Sequence, residues 1–227
     1  MKRKFFITLV ILVLLAALLP TAALADKGID YKPVDIGPEL RAWEPTQDRI
    51  AAPPALNFDE VEAAAMAAVA GTPYADCALD VKMWLSLDNY LGYYFFDYFY
   101  LVAESDGAEL WIQTDLSFPA GDPRPTPEIT CEQAAYLVGE FDNNIYPTEV
   151  EFFGAPDLHD GSYSLLEAWG YVPPGYYANS AGRQVVLVSN IGDDNYYDPT
   201  YPNYIAGFYS PTFEAYFDRN IMSIDSH

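Results

Sequence analysis

Hydrophobic and polar residues alternate along the first clearly periodic part of the chain. From Val81 the apolar side chains recur at every second position, which is typical of a β-strand with one buried face. A second, strongly aromatic strand is expected over residues 93–104, and the turn Ser105-Asp106-Gly107 leads into a third strand over residues 109–114. The three strands predict a small antiparallel β unit within residues 80–118.

Helical signals begin just before these strands, near the end of a proline-rich leader over residues 26–79. Asn57 and Glu60 have the spacing of a capping box, in which two side chains satisfy free backbone N–H groups at a helix start. The alanine-rich stretch that follows favours a helix, and Gly71-Thr72-Pro73 ends it. The leader is therefore expected to contain one short helix.

A second helix is expected after the β unit. Thr130 and Gln133 form another capping box, Pro147 breaks or restarts the helix, and Gly154 ends it. Five apolar residues at helical spacing predict its buried face: Ala134, Leu137, Val138, Phe141 and Ile145.

Three more strands complete the predicted elements. Residues 184–189 form a continuous apolar run, typical of a central strand, and residues 205–209 and 220–224 give two shorter strands. With the helices, they predict an α+β fold. The prolines at positions 119–127 indicate a boundary between the β unit and a second region, 128–227.

The first 25 residues have the pattern of a secretory signal peptide. A cationic start precedes an apolar run over residues 5–19, and Ala23-Leu24-Ala25 supplies the small-x-small cleavage pattern before Asp26. The run is shorter than the roughly 20 residues that span a bilayer. We expect removal of residues 1–25 and a secreted protein, an uncleaved anchor being the alternative.

The strong negative charge of the chain limits its possible binding partners. The formal net charge of −22 repels phosphate backbones and anionic lipids, so neither nucleic acid nor a membrane surface is an expected partner. Such acidity serves solubility or the binding of Ca²⁺.

Export also permits the two cysteines, Cys77 and Cys131, to form a disulfide.

No complete catalytic motif lies within the chain. His159 and His227 are its only histidines, there is no His-Glu-x-x-His sequence, and His159 is expected to be a loop residue. The Gly-x-Ser-x-Gly motif of serine hydrolases is also missing. A pair of carboxylates could catalyse glycoside hydrolysis, but the 33 acidic residues single out no pair.

Two local patterns suggest binding instead. Oxygen ligands for calcium are closely spaced after the predicted central strand, at Asp193, Asp194, Asn195 and Asp198. A polar loop that caps its own turns is the alternative there. The aromatic run over residues 93–100 suits either a sugar-stacking surface or ordinary core packing.

Several segments together resemble a known family. They are Tyr136 to Pro147 (YLVGEFDNNIYP), Phe152-Phe153-Gly154, residues 157–161 and 186–197, and the closing stretches 204–209 and 218–225. This pattern resembles the N-terminal part of secreted zinc metallopeptidases of the immune inhibitor A-like and hyicolysin-like kind. The likeness covers about residues 80–227.

The resemblance implies a zincin-like domain whose active-site helix, with its His-Glu-x-x-His motif, would follow these residues. Residues 128–227 would be the first half of that domain, with zinc and a peptide or protein substrate bound by the complete protein. No family catalytic residue falls within this chain, so the chain alone is expected to be inactive. The alternative is a non-enzymatic extracellular module that binds calcium or a glycan.

Overall fold

The computed structural model describes residues 58–227, which fold into helices around one six-stranded sheet. The predicted signal peptide and most of the leader lie outside the described residues. The strands are β1 (Asp80–Asp88), β2 (Tyr93–Glu104), β3 (Ala108–Gln113), β4 (Gln184–Ser189), β5 (Gly207–Tyr209) and β6 (Ile221–Asp225). The α-helices are α1 (Phe58–Ala68), α2 (Cys131–Glu140), α3 (Tyr146–Phe153), α4 (Leu165–Ala168), α5 (Asp194–Tyr197) and α6 (Pro211–Phe217).

The strands follow the order β1-β2-β3-β4-β6-β5 across the sheet. The first three form the predicted antiparallel meander, while β4 pairs in parallel with both β3 and β6, and β5 pairs antiparallel at the edge. The α+β prediction is confirmed. Strands from both sides of the proline-rich stretch at 119–127 are hydrogen-bonded neighbours in this single sheet.

The first strand departs from its predicted half-buried pattern, because both of its faces are buried. Trp84 and Ser86, expected on the exposed face, are 0% and 2% exposed. The Trp84 ring lies 5.4 Å from that of Trp111, 4.9 Å from that of Tyr177 and 5.0 Å from that of Phe217. Alternation in the sequence was therefore misleading, since aromatic side chains from distant segments cover the second face.

The predicted capping box opens α2 as expected. The Gln133 backbone N–H donates to Thr130 Oγ1 at 3.1 Å, and the Thr130 N–H donates to Gln133 Oε1 at 2.8 Å. Ala134 and Val138 are buried against the sheet. These contacts place α2 over β2 and β3.

A π-helical segment, Phe141–Ile145, joins α2 to α3 without a break in the helical backbone. Pro147 therefore does not break the helical run but lies in the first turn of α3, and Gly154 ends that helix with a φ of 85°. The wider turn shifts later residues around the axis. It explains why Ile145, predicted on the buried face, is exposed.

The predicted disulfide between Cys77 and Cys131 is present, with the two Cα atoms 5.9 Å apart. It links the segment before β1 to the first turn of α2. The same segment is held by Tyr74, which is buried, and the Tyr100 hydroxyl donates to the Ala65 carbonyl at 3.1 Å. The last part of the predicted leader is thus integrated into the domain.

A buried ion pair that no sequence pattern predicts lies inside the fold. Arg219 Nη2 lies 3.1 Å from Glu109 Oε2, and both side chains are almost inaccessible. Trp111 Nε1 and Asn179 Nδ2 also donate to the Glu109 carboxylate. Burial lowers the pKa of Arg219, while the adjacent Glu109 opposes that shift. Such a pair persists in a core only when hydrogen bonds complete it.

Candidate functional site

The carboxyl edge of the sheet gathers most of the polar side chains that the sequence singles out. Strands β1, β3, β4 and β6 run in the same direction, so their C-terminal ends lie along one edge. Asp88, Gln113 and Asp225 end three of these strands, and Asn190 follows the fourth. Ligands of open α/β sheets bind at this edge. We therefore take it as the candidate functional site.

Asp193, the first predicted calcium ligand, is the N-cap of α5. Its two carboxylate oxygens accept from the backbone N–H of Tyr196 at 2.8 Å and of Ile205 at 2.6 Å. Burial raises the pKa of Asp193, and the negative charge of Asp225 adds to that rise. Its carboxylate is therefore already used to hold the loop that follows β4 against the segment before β5.

The other three predicted ligands are placed differently. Asp194 lies in the first turn of α5. Asp198 Oδ1 accepts from the Thr200 hydroxyl at 2.7 Å and from its N–H at 2.9 Å, and these bonds lower the pKa of Asp198. Asn195 accepts from Arg124 Nη1 at 2.6 Å through Oδ1 and donates to the Tyr201 carbonyl through Nδ2.

Within residues 58–227, no group of three or more His, Cys, Asp or Glu side chains is arranged to hold a metal ion. Asp193 and Asp198 instead cap their own turns, which is the arrangement expected of a self-capping polar loop. Calcium binding by this loop stays a prediction.

Arg124 is the main residue of this edge that the sequence interpretation missed. Its guanidinium binds Asp122 through two nitrogens, at 2.7 and 3.0 Å, and lies 3.7 Å from the centre of the Phe118 ring. It also donates to the carbonyls of Asn195 and Tyr196. Arg124 thereby fastens the proline-rich loop to α5. The chain has 11 lysines and arginines against 33 acidic residues. This scarcity of cations was the available signal that Arg124 matters.

His227 contacts the same cluster. Its Nδ1 lies 2.9 Å from Asp225 Oδ1, and its Nε2 lies 3.0 Å from Asn195 Oδ1. The ring packs edge-on against Phe118. The second oxygen of Asp225 and the side-chain oxygen of Asn190 are buried without a hydrogen-bond partner in the described part of the chain. This edge of the sheet therefore contains two buried side-chain oxygens that accept no hydrogen bond from residues 58–227.

Aromatic residues flank this cluster at the end of β1. The Tyr197 hydroxyl donates to Asp88, whose other oxygen accepts from the Leu91 N–H at 2.7 Å. Burial raises the pKa of Tyr197, and the hydrogen bond to Asp88 raises it further. The Tyr90 ring lies 4.9 Å from that of Tyr197, and both side chains are exposed. Of the predicted aromatic run, in contrast, Tyr94, Phe99 and Tyr100 are buried in the core.

His159 lies in a loop, as predicted, and contacts groups other than those of the carboxyl edge. Its Nδ1 is 2.8 Å from Asp218 Oδ1, and its Nε2 is 3.1 Å from Glu214 Oε1. The Asp218 backbone carbonyl accepts from the Gly161 N–H at 2.7 Å, and its carboxylate Oδ2 accepts from the Tyr163 N–H at 2.8 Å. The histidine ties its loop to α6, and its two nitrogens point to different carboxylates, an arrangement unlike a shared zinc site.

Comparison with known proteins adds no identity to this geometry. No family model matches the chain, and no curated protein matches it. No helix in the described segment is long and apolar enough to cross a membrane.

Proposed function

We propose that this chain is the N-terminal part of an exported zinc-dependent metalloendopeptidase that cleaves extracellular proteins or peptides. The proposal begins with the sequence resemblance, which depends most on Tyr136 to Pro147 and on the stretches around β4 and β6. Export is supported by the signal-peptide pattern and agrees with the disulfide.

The order of elements supports the same proposal. The resemblance implies a helix, a central strand and edge strands ahead of the active-site helix. Here the helical run from α2 to α3 is followed by β4, which lies inside the sheet, and then by β5 and β6 at its edge.

One observation carries the proposal furthest: the sheet face over β6 and β5 is apolar and partly uncovered. Val186 pairs with Met222, and Met222 pairs with Tyr209, so the three side chains lie on one face. Val186 is 7% exposed, whereas Met222 is 43% and Tyr209 57% exposed. We call Tyr209, Met222 and the half-buried Ile224 the edge face. An apolar sheet face is normally buried against a further layer, which an active-site helix would supply.

Zinc would be bound by residues other than those of this chain. The two histidines have separate carboxylate partners and cannot serve as the paired His ligands of a zincin site. The role of this chain would be to supply the sheet and supporting helices on which the catalytic helix packs. The chain alone is then expected to be inactive.

The test is to sequence the coding DNA beyond His227 and to express both versions of the protein. A continuing frame that encodes His-Glu-x-x-His and a third ligand is expected. The extended protein should hydrolyse casein only with zinc, and the chain 26–227 should not. Replacing the motif glutamate by glutamine in the extended protein supplies the matched inactive control.

Two outcomes would contradict the proposal. One is a stop codon after His227 with no such motif in any frame. The other is an extended protein that binds zinc but hydrolyses no protein substrate. Calcium or glycan binding by residues 26–227, measured by calorimetry, would then favour the non-enzymatic module.

A further inference from the structure

Helix α3 is a helix without a buried side chain. None of its residues is buried, and the exposed fractions of Phe152 and Phe153 are 74% and 88%. All residues from 151 to 158 are exposed. Two large apolar side chains left in water at the end of one helix are the kind of exposed apolar surface that in soluble proteins marks an interaction site.

Carboxylates surround these two rings. Glu149 lies three and four residues before Phe152 and Phe153, so it shares their side of the helix, and Glu151 directly precedes them in the last turn. Both glutamates are exposed, and neither pairs with a cation within residues 58–227. We call Glu149, Glu151, Phe152 and Phe153 the α3 patch.

The helix backbone adds to the negative potential of the patch. The helical run is continuous from α2 through α3, and the patch lies at its C-terminal end. The carbonyl groups there carry the negative end of the helix dipole, which favours nearby cations. The last turn of α3 contains no basic residue that could provide this charge.

Residues 58–227 have no spare cation to offer to the patch. The four lysines and arginines of the described segment are all engaged: Arg124, Arg183 and Arg219 pair with carboxylates, and Lys82 lies over the Tyr176 ring. A second copy of the chain is a poor partner, because each copy carries a formal charge of −22. The same charge opposes anionic membranes.

We propose that the α3 patch is a docking surface for a cationic polypeptide segment that places apolar side chains between its lysines or arginines. The two phenylalanines would supply the apolar contact. The glutamates and the helix C-terminus would pair with the basic side chains, which gives specificity and a faster encounter.

The probe is a fluorescein-labelled amphipathic peptide of leucine and lysine, titrated with the chain 26–227 and followed by anisotropy. The charge-inverted peptide, with glutamate at each lysine position, is the first control. We expect the lysine peptide to bind, with an affinity that falls as salt is raised, and the glutamate peptide not to bind.

Three variants locate the site. Phe152→Ser with Phe153→Ser should weaken binding by about tenfold or more without changing Tm, since both rings are exposed. Glu149→Gln with Glu151→Gln should weaken binding and reduce its salt dependence. Tyr163→Ser removes a different aromatic ring, 84% exposed, and should leave the affinity unchanged.

The proposal is overturned if all three variants bind the lysine peptide equally, because the attraction would then come from overall charge. Equal binding of the glutamate peptide would also overturn it. So would sedimentation that shows a dimer of the chain which the Phe152→Ser, Phe153→Ser variant loses, because the occupant would then be a second copy.

Discussion

The two halves of one sheet face differ in what covers them. Over β2, β3 and β4, the side chains of α2 and the π-helical segment bury the face, and Val138 and Phe141 are 5% and 7% exposed. Over β6 and β5, the edge face is partly open to solvent. The hydrogen-bonded pairing of β4 with β6 joins the two halves into one sheet. The two halves therefore differ in the layer that packs on the sheet.

The covered half of the face is packed within this chain, whereas the edge face is the surface on which we propose that a further helix packs. The covered half has a capped helix, a disulfide and a closed core. The edge face has apolar residues at the strand positions, but Met222 and Tyr209 are largely exposed, and the Tyr209 hydroxyl donates to Glu214 of α6. Stability should therefore depend strongly on the covered half and weakly on the open one.

Phe141→Ala against Met222→Ala gives the largest expected contrast. Phe141 belongs to the π-helical segment and is buried in the covered half, and removing its ring should lower the free energy of unfolding by about 3–5 kcal/mol. Met222 lies on the edge face and is 43% exposed, so its truncation should change that free energy by about 1 kcal/mol or less. Urea denaturation measures both, and equal losses would contradict the comparison.

Removal of the disulfide should have the next largest effect. The bond closes a loop with a sequence separation of 54, and Cys77→Ser with Cys131→Ser should lower the free energy of unfolding by about 2–4 kcal/mol. The loss should appear in guanidinium denaturation of the oxidised chain and disappear when wild type is reduced first. An unchanged midpoint would show that the disulfide does not hold α2 in place.

Thr130→Ala removes the cap of α2. The Gln133 N–H would lose its acceptor, and the free energy of unfolding should fall by about 1 kcal/mol. Thr130→Ser keeps the hydroxyl and is the matched control. A Thr130→Ser variant as unstable as Thr130→Ala would indicate that the methyl group, rather than the hydrogen bond, matters at this position.

Asp97→Asn should have the smallest effect, seen in the pH dependence. Burial raises the pKa of Asp97, while the Gln113 hydrogen bond opposes the rise. The native state therefore holds the proton more tightly than the unfolded state, and stability is lost as pH rises from the ordinary value of about 3.9 through the folded pKa.

The asparagine is uncharged, so the Asp97→Asn variant should lose less stability over that range. After rotation of the Gln113 amide, its buried, unpartnered Oε1 can accept the new N–H. Thermal unfolding from pH 3 to 7 measures the difference. A parallel decline in both proteins would assign the pH dependence to other groups.

Local signals in the sequence predicted most of the elements. The capping box at Thr130, the apolar run of β4 and the disulfide depend on neighbouring residues or on a small number of cysteines, and each is confirmed. The buried second face of β1 and the Arg219–Glu109 pair depend on residues far apart in the chain. The spacing of residues within a short stretch of sequence therefore could not predict either feature.

The candidate site was predicted less completely, for a related reason. Asp193 and Asn195 were recognised as closely spaced oxygen ligands, but their roles depend on Ile205 and Arg124, which arrive from other segments. Arg124 shows no motif of its own. Only the fold brings the proline-rich loop beside α5 and so reveals its role.

The central claim is that a further helix packs on the edge face in the extended protein. Oxidation of Met222 by hydrogen peroxide, followed by peptide mass spectrometry, tests this claim most directly. In the chain 26–227, Met222, 43% exposed, should become the sulfoxide, while Met83, 1% exposed, stays reduced as the internal control. In the extended protein carrying His-Glu-x-x-His, the account predicts that Met222 is protected as well. Equally rapid oxidation of Met222 in both proteins would contradict it.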